Sequence, residues 1–173
     1  LKDIDNSNLW NLSLCALTLE KFKYGFSLYE YRWNKKINPL IKKFPEIKSP
    51  NNLTEIIDKK ILISDEQGLG DTLQFSRFVI DLLKYSKNIT FVVNSKLSKI
   101  LSNLNININV INYDNLELDN FDYQIPLCSL PKFLNIATTE DINYYKLHIN
   151  IKKKIKFKKN NKLNIGLAWS GNQ

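Results

Sequence analysis

Apolar residues near the start of the chain recur at steps of three and four residues. A first set consists of Leu9, Leu12, Ala16 and Leu19, and a second, after a break, consists of Phe22, Phe26, Tyr29 and Trp33. This spacing places each set along one face of a helix, so residues 1–36 are predicted to form two short antiparallel helices. Gly25 lies within the second helix, where a glycine permits close approach of a neighbouring helix. Such a pair is typical of the last unit of a helical-repeat array.

Short apolar runs alternate with helical patterns between residues 59 and 160. The predicted strands cover residues 59–64, 88–94, 106–112 and 121–125, and the predicted helices cover residues 71–85, 95–104 and 127–136. This alternation predicts an α/β fold in which helical crossovers join the strands of a Rossmann-like parallel sheet.

Two further stretches flank this predicted domain. Residues 37–58 contain three prolines and have weak periodicity, which predicts a connector. Residues 163–169 are apolar and predict a strand that opens a new unit within residues 161–173. The chain contains no methionine and ends shortly after that strand. We therefore expect it to be a fragment of a longer protein.

Composition narrows the class of protein. Hydrophobic residues make up 43% of the chain and charged residues 24%, values usual for a soluble globular protein. No apolar run is long enough to predict a transmembrane segment, and no signal peptide is evident. Cys15 and Cys128 lie far apart without metal-ligand spacing, so we expect free buried thiols and a cytoplasmic location. We also expect no requirement for a metal or cofactor.

The net charge of +8 raises the question of nucleic-acid binding. Arg32 and Arg77 are the only arginines, and lysine supplies the remaining positive charge, scattered among asparagine and isoleucine. This distribution predicts no nucleic-acid partner. The one dense lysine run, residues 152–159, is compatible with a phosphate contact or with a solvated linker or strand face.

The candidate chemistry is concentrated after the first predicted strand, in residues 65–72. Gly68 and Gly70 allow a tight turn and a close approach of backbone to a ligand, at the start of a helix with free amide groups. Leu73 occupies the third glycine position of a dinucleotide fingerprint, and no lysine follows as in a P-loop. The alternative is a tight turn in which Asp71 only caps the helix.

Residues 68–78, with the sequence GLGDTLQFSRF, resemble the GLGDTLQFxRF motif of bacterial glycosyltransferases joined to tetratricopeptide repeats. The catalytic regions of those enzymes are similar to lipopolysaccharide heptosyltransferases and, more distantly, to O-linked N-acetylglucosaminyl transferases. Three further stretches resemble segments of the same family in the same order. They are residues 24–33 (the repeat-closing segment), 125–131 (PLxSLP) and 166–172 (GLxWSGNP, with Gln173 at the position of the usual proline).

The resemblance implies the N-terminal half of a GT-B glycosyltransferase, which transfers sugar from a nucleotide-sugar donor to a saccharide or protein acceptor. Asp71 matches the proposed general base, although a helix N-terminus weakens a carboxylate as a base and leaves an acceptor-orienting role open. The implied acceptor or phosphate loop consists of Gly68, Gly70, Thr72, Gln74 and Arg77. The implied donor-binding residues, which begin the C-terminal domain, are Ser170, Gly171 and Asn172. We expect the fragment to need the remainder of that domain and to be inactive alone.

Other interpretations stay open from the residues alone. A repeat-based interaction protein with a degenerate, non-catalytic Rossmann-like domain is one, and a nucleotide-dependent oxidoreductase is another. Against the oxidoreductase, Asn94 ends the second strand where an acidic residue is expected. Arg77 would bind a diphosphate or an acidic acceptor, or would form a salt bridge with a carboxylate of its own domain. Glu66 would either be a second carboxylate of the candidate site at the turn or face solvent. We expect Tyr29, Tyr31 and Trp33 to have a packing role rather than to form a sugar platform. We expect His148 to have a structural role.

Overall fold

The computed structural model describes residues 6–33, 43–103, 107–118 and 120–145. The predicted strand at 163–169, the lysine run at 152–159 and His148 lie outside the described residues. The predicted donor-binding residues Ser170, Gly171 and Asn172 also lie outside them.

The chain begins with a helical hairpin. Helix α1 (Asn6–Thr18) and helix α2 (Phe22–Tyr29) are joined at Glu20, which has a left-handed φ of 57°, and a 3₁₀ turn (Glu30–Trp33) follows. Two helices therefore occur where the apolar periodicity predicts them. That they close a repeat array stays a prediction.

Gly25 lies where the two helices of the hairpin come closest. A Cβ atom at this position would lie 2.7 Å from Cδ2 of Leu17 and 3.1 Å from the Leu17 backbone nitrogen. Both distances are shorter than ordinary van der Waals contact, so only glycine fits without movement of Leu17. The close approach predicted for Gly25 is confirmed.

Four parallel strands form one sheet in the order β3-β2-β1-β4. They are β1 (Ile61–Ser64), β2 (Ile89–Val93), β3 (Asn109–Asn112) and β4 (Tyr123–Pro126). In the central register Ile63 of β1 lies opposite Phe91 of β2 and Ile125 of β4. The predicted α/β class and the parallel sheet are thereby confirmed, and the strand order is consistent with a Rossmann-like arrangement.

The sheet is buried on both faces, which explains why β1 and β2 are almost continuously apolar. Ile61 and Ile63 of β1 belong to the main core with the helices, and Phe26 and Tyr29 of the hairpin belong to the same core. On the opposite face Leu62 packs in a second cluster with Val92, Phe44 and Ile47. The predicted connector therefore supplies Phe44 and Ile47 to the core.

The helix predicted at residues 71–85 is wrong in its start and in its continuity. It begins earlier, as α3 (Leu69–Phe75), and a second helix, α4 (Arg77–Asp81), follows a break at Ser76. At the break the Val79 N–H donates a hydrogen bond of 3.1 Å to the Ser76 carbonyl, three residues back, so the backbone bonding there is of the tighter 3₁₀ type. Gly68 is the N-cap residue, so Asp71 lies in the first turn of α3 rather than at its cap.

The remaining helices are short. Helix α5 (Ser95–Ser102) follows β2, and α6 (Leu130–Phe133) follows β4 after a 3₁₀ turn. The helix predicted at residues 127–136 ends early because Asn135 is left-handed, with φ of 58°. Within the described ranges, no helix has the length and apolar character needed to cross a membrane.

The fit at Gly25 predicts a difference between two glycine substitutions. Gly25→Ala is expected to reduce the free energy of unfolding by about 1–3 kcal/mol, because the new methyl group overlaps Leu17. Gly70→Ala in α3 is the matched control, because a Cβ there meets nothing within 4 Å. It is expected to be neutral or stabilising by about 0.5–1 kcal/mol. Urea unfolding measures both, and equal effects would contradict the close packing of α1 on α2.

Candidate functional site

The order of the strands defines one special position at the edge of the sheet. From β1 the chain proceeds to β2 and β3 on one side and then returns to β4 on the other side of β1. The strand order therefore reverses between β1 and β4, and ligands of open α/β sheets bind outside the carboxyl ends of the strands at such a point. The residues that follow β1, at 65–68, and those that follow β4, at 127–129, meet there.

Asp71 lies in the turn that leaves β1. Its side chain is half-buried, and its Oδ2 atom accepts a hydrogen bond of 3.0 Å from the Gly68 backbone N–H. A Cβ on Gly68 would lie 3.1 Å from the same oxygen, so the absence of a side chain at Gly68 makes room for the carboxylate. Oδ1 of Asp71 has no hydrogen bond to the part of the chain that the structure describes. One oxygen of the Asp71 carboxylate thus stabilises the turn.

The other residues of the predicted loop divide into two groups. Thr72 is buried and its hydroxyl donates a hydrogen bond of 3.1 Å to the Gly68 carbonyl, so Gly68, Asp71 and Thr72 form one unit. Gly70, Gln74 and Arg77 are exposed. Gly70 has an ordinary φ and open space around it, so neither backbone conformation nor packing requires glycine there. Arg77 begins α4 and forms no ion pair with any described residue.

A buried carboxylate, Asp65, directly follows β1. Its Oδ1 atom accepts hydrogen bonds from the Lys43 ammonium group at 2.6 Å and from the Tyr113 hydroxyl. Its Oδ2 atom accepts a bond of 2.7 Å from the Asn94 backbone N–H. Burial and the nearby Asp65 charge raise the pKa of the Tyr113 phenol, which stays protonated as a donor. These groups line a small polar cavity of about 160 Å³ beside the Asp71 turn, together with Gln67, Gly68, Leu69, Thr72 and Lys96.

The crevice between β1 and β4 is occupied by the side chain of Arg32, from the 3₁₀ turn after α2. Its guanidinium group donates two parallel hydrogen bonds to Glu66, from Nε to Oε2 at 2.8 Å and from Nη2 to Oε1 at 2.9 Å. Both side chains are buried, with side-chain exposure of 0% for Arg32 and 4% for Glu66. A bidentate pair removed from water in this way is strong only because its geometry is good and its remaining atoms are also bonded.

The remaining atoms of this pair are indeed bonded. Arg32 also donates to the Ser129 hydroxyl at 2.7 Å, to Glu30 at 2.7 Å and to the Tyr29 carbonyl at 3.2 Å. Glu66 Oε1 accepts a further bond of 2.7 Å from the Cys128 backbone N–H. Burial lowers the pKa of Arg32, but the bonds to Glu66 and Glu30 raise it by more, so the net shift is upward and the guanidinium is charged. We refer to Glu30, Arg32, Glu66, Cys128 N–H and Ser129 as the Arg32 network.

Tyr29 contacts the next residue of the same turn. Its hydroxyl exchanges hydrogen bonds with the Gln67 side-chain amide at 3.1 and 3.2 Å. Gln67 has a left-handed φ of 60°, which is unfavourable for a residue with a side chain. Burial raises the pKa of Tyr29 to about 12, so the hydroxyl is neutral at ordinary pH and available for this contact.

The structure shows the burial of the three aromatic residues of segment 24–33 and the direction in which the Glu66 side chain points. Tyr29 is buried, in keeping with a packing role, while Trp33 is half-buried with the Arg32 guanidinium 4.4 Å from its ring centroid. Tyr31 is 39% exposed. Glu66 faces Arg32 rather than solvent. Sequence reasoning did not name Arg32 as a site residue, although it lies in the segment 24–33 that resembles the glycosyltransferases and is one of two arginines in a lysine-rich chain.

A second, larger cavity lies on the other side of the Arg32 network. It has a volume of about 460 Å³ and is lined by residues of α2, of the β4–α6 segment and of the stretch 49–53. Glu30 and Ser129 contribute to its wall, so the network lies between this cavity and the Asp71 turn.

Cys128 does not add a nucleophile, because burial and the neighbouring Glu66 raise the pKa of its thiol.

Comparison with known proteins identifies no relative for this chain. No family model, no curated protein and no solved structure matches it.

Within the described ranges no three His, Cys, Asp or Glu side chains are grouped so that they could hold a metal ion. Both Cys15 and Cys128 are free, but Cys15 is exposed, so the expectation that both are buried is wrong for Cys15.

The Arg32–Glu66 pair predicts a specific pattern of stability changes. Arg32→Met is expected to reduce the free energy of unfolding by about 3–5 kcal/mol, because it leaves the Glu66 charge buried and unpaired. Adding Glu66→Gln is expected to restore part of this loss, since the charge disappears and the amide oxygen still accepts from Cys128 N–H. Lys84→Met, which breaks an ion pair at an exposed lysine, is the control and is expected to cost about 0–1 kcal/mol.

The raised pKa of Tyr29 predicts an alkaline loss of stability. Folding raises the pKa of the phenol from 10.0 to about 12, so its contribution to stability is complete below pH 10 and is lost as the pH rises through 12. Tyr29→Phe is therefore expected to flatten the decline of unfolding free energy between pH 10 and 12. Chemical denaturation at a series of pH values measures this, and an unchanged slope would place the Tyr29 hydroxyl in solvent.

Proposed function

We propose that this chain is the acceptor-side domain of a GT-B glycosyltransferase, with a helical-repeat unit packed against it, and that Asp71 acts on the acceptor hydroxyl. The observation that carries the proposal is a convergence. Three of the four segments that resemble the glycosyltransferases meet in the Arg32 network and the adjoining turn. Glu30 and Arg32 belong to the first segment (residues 24–33), and Cys128 and Ser129 belong to the third (residues 125–131). The second segment (residues 68–78) begins directly after Glu66 and Gln67, in the same turn.

The position of this convergence also supports the proposal. It lies at the carboxyl ends of β1 and β4, where the strand order reverses and where α/β proteins bind ligands. Asp71 has one oxygen bound to Gly68 N–H and the other without a partner among the described residues. Gly70 beside it leaves open space that no packing requirement explains, as expected where a ligand approaches the backbone.

In the proposed reaction the acceptor hydroxyl attacks the anomeric carbon of the donor sugar. A new C–O bond forms as the bond between that carbon and the diphosphate oxygen breaks, and the nucleoside diphosphate leaves with the electron pair. Oδ1 of Asp71 accepts the hydroxyl proton or, in the alternative role, orients the hydroxyl for attack. The donor would be bound mainly by a second domain that includes Ser170, Gly171 and Asn172. No metal or cofactor is assigned a role in this reaction.

A non-catalytic interaction protein is the second candidate. The observation in its favour is that Asp71 already has a structural role, since its carboxylate accepts the Gly68 N–H within the first turn of α3. In that case the turn would be retained for stability alone, and no nucleotide sugar would be used.

The test uses the complete natural protein that contains this chain. A panel of sugar nucleotides is screened by mass spectrometry for transfer or hydrolysis, with wild type, Asp71→Asn and Asp58→Asn. Asp58→Asn is the control because Asp58 is exposed, precedes β1 at the opposite end of the sheet and has a left-handed φ that asparagine tolerates. Asp71→Asn is expected to lower kcat by about 10²–10⁴ if Asp71 is the base.

The outcomes separate the candidates. Activity lost in Asp71→Asn, with donor binding and the unfolding free energy retained, supports a transferase with Asp71 in the chemistry. A higher KM for the acceptor with nearly unchanged kcat supports the orienting role. Absence of binding and turnover with every donor supports the interaction protein. Turnover by residues 1–173 alone would contradict the requirement for a second domain.

A further inference from the structure

Four consecutive residues of the turn after β1 are each held by a different partner. Asp65 is bound by Lys43, Tyr113 and Asn94 N–H, and Gly68 is bound by Asp71. Glu66 and Gln67, between them, are bound by Arg32 and Tyr29. The Cys128 N–H also binds Glu66, and the side-chain partners of Glu66 and Gln67 come from the helical hairpin and the 3₁₀ turn that follows it, 34 and 38 residues away in the sequence.

The turn needs such support because of its backbone. Gln67 is in the left-handed region, a conformation that persists in a non-glycine residue only when the surroundings enforce it. A change of φ at Gln67 would move Gly68, whose N–H is bound by Asp71, and with it the first turn of α3. The backbone at Gln67 thus links the contacts of Glu66 and Gln67 to the Asp71 carboxylate.

We propose that Arg32 and Tyr29 are positioning residues for Asp71, so that the helical hairpin is an integral part of the site and not a separable module. Arg32 acts through Glu66, and Tyr29 acts through Gln67. The inference rests on the proposed function only for its catalytic consequence, because the positioning of the turn is a property of the fold.

The same network joins the hairpin to the sheet at two points. Arg32 binds Glu66 after β1 and Ser129 after β4 at the same time, so it fixes the hairpin to both strands of the crevice. Its planar group makes five hydrogen bonds, a pattern that the single ammonium group of lysine cannot reproduce. Arg32→Lys retains the charge and removes this geometry.

The experiment uses the complete protein with two test variants, Tyr29→Phe and Arg32→Lys, and one matched control, Tyr145→Phe. Tyr29→Phe removes one hydroxyl from the turn. Tyr145→Phe removes a hydroxyl that donates to the buried Asp81 carboxylate at 2.6 Å, at the end of α4 and away from the turn. Arg32→Lys is the third variant. Hydrogen–deuterium exchange is followed by mass spectrometry in peptides covering residues 66–72 and, for comparison, residues 89–101.

We expect Tyr29→Phe to accelerate exchange in residues 66–72 by about fivefold and Arg32→Lys by about tenfold or more, with residues 89–101 unchanged. Tyr145→Phe is expected to leave residues 66–72 unchanged. Equal acceleration in both peptides, or the same effect on the turn from Tyr145→Phe, would show that the contacts stabilise the fold in general and would overturn the proposal. No acceleration of the turn in any variant would overturn it as well.

Kinetics supply the second measurement. Where the wild type transfers sugar, Arg32→Lys is expected to lower kcat by about tenfold without a change in the KM for the donor, and Tyr145→Phe to leave both unchanged. Wild-type kcat in Arg32→Lys would overturn the positioning role. If the wild type has no turnover with any donor, the proposed function fails, and the exchange measurement alone decides whether the hairpin positions the turn.

Discussion

The ion pair between Arg32 and Glu66 is the interaction on which the arrangement of this molecule depends. It fills the crevice between β1 and β4, and its two carboxylate–guanidinium bonds of 2.8 and 2.9 Å join the helical hairpin to the sheet. Burying two charges is costly unless every polar atom is paired, and here Ser129, Glu30 and Cys128 N–H provide the remaining partners. Loss of any partner would leave an uncompensated polar group in the core, so the hairpin and the sheet are mutually constrained.

This constraint has a consequence for where a ligand can bind. In open α/β sheets the crevice at the reversal of strand order is the usual ligand position, but here a protein side chain occupies it. Space remains on either side, in the small cavity beside Asp65 and the Asp71 turn and in the larger one beside Glu30 and Ser129. Under the proposed function, the acceptor approaches Asp71 from the side where Gly70 leaves the backbone open.

Several elements follow from local pattern alone. The near-continuous apolar runs at 61–64 and 89–93 predict strands buried on both faces, and the structure contains them. Boundaries were less predictable. The helix predicted from Asp71 to Tyr85 starts at Leu69 and breaks at Ser76, where the Val79 N–H bonds to the Ser76 carbonyl three residues back, a local change that apolar periodicity does not register. Phe44 and Ile47 lie in a proline-bearing stretch without periodicity, so their core positions could not be inferred.

The sequence by itself determined the α/β class, the parallel sheet, the close contact at Gly25 and the position of the candidate turn after β1. These features depend on residues near one another in the chain, or on a repeating pattern of burial. Only the tertiary structure decided that Glu66 faces Arg32, that Tyr29 holds Gln67 and that Asp71 binds Gly68 from inside the helix. The two contacts from the hairpin join residues more than 30 positions apart. Their pairing depends on how the hairpin docks on the sheet, which no local pattern of apolar and polar residues encodes.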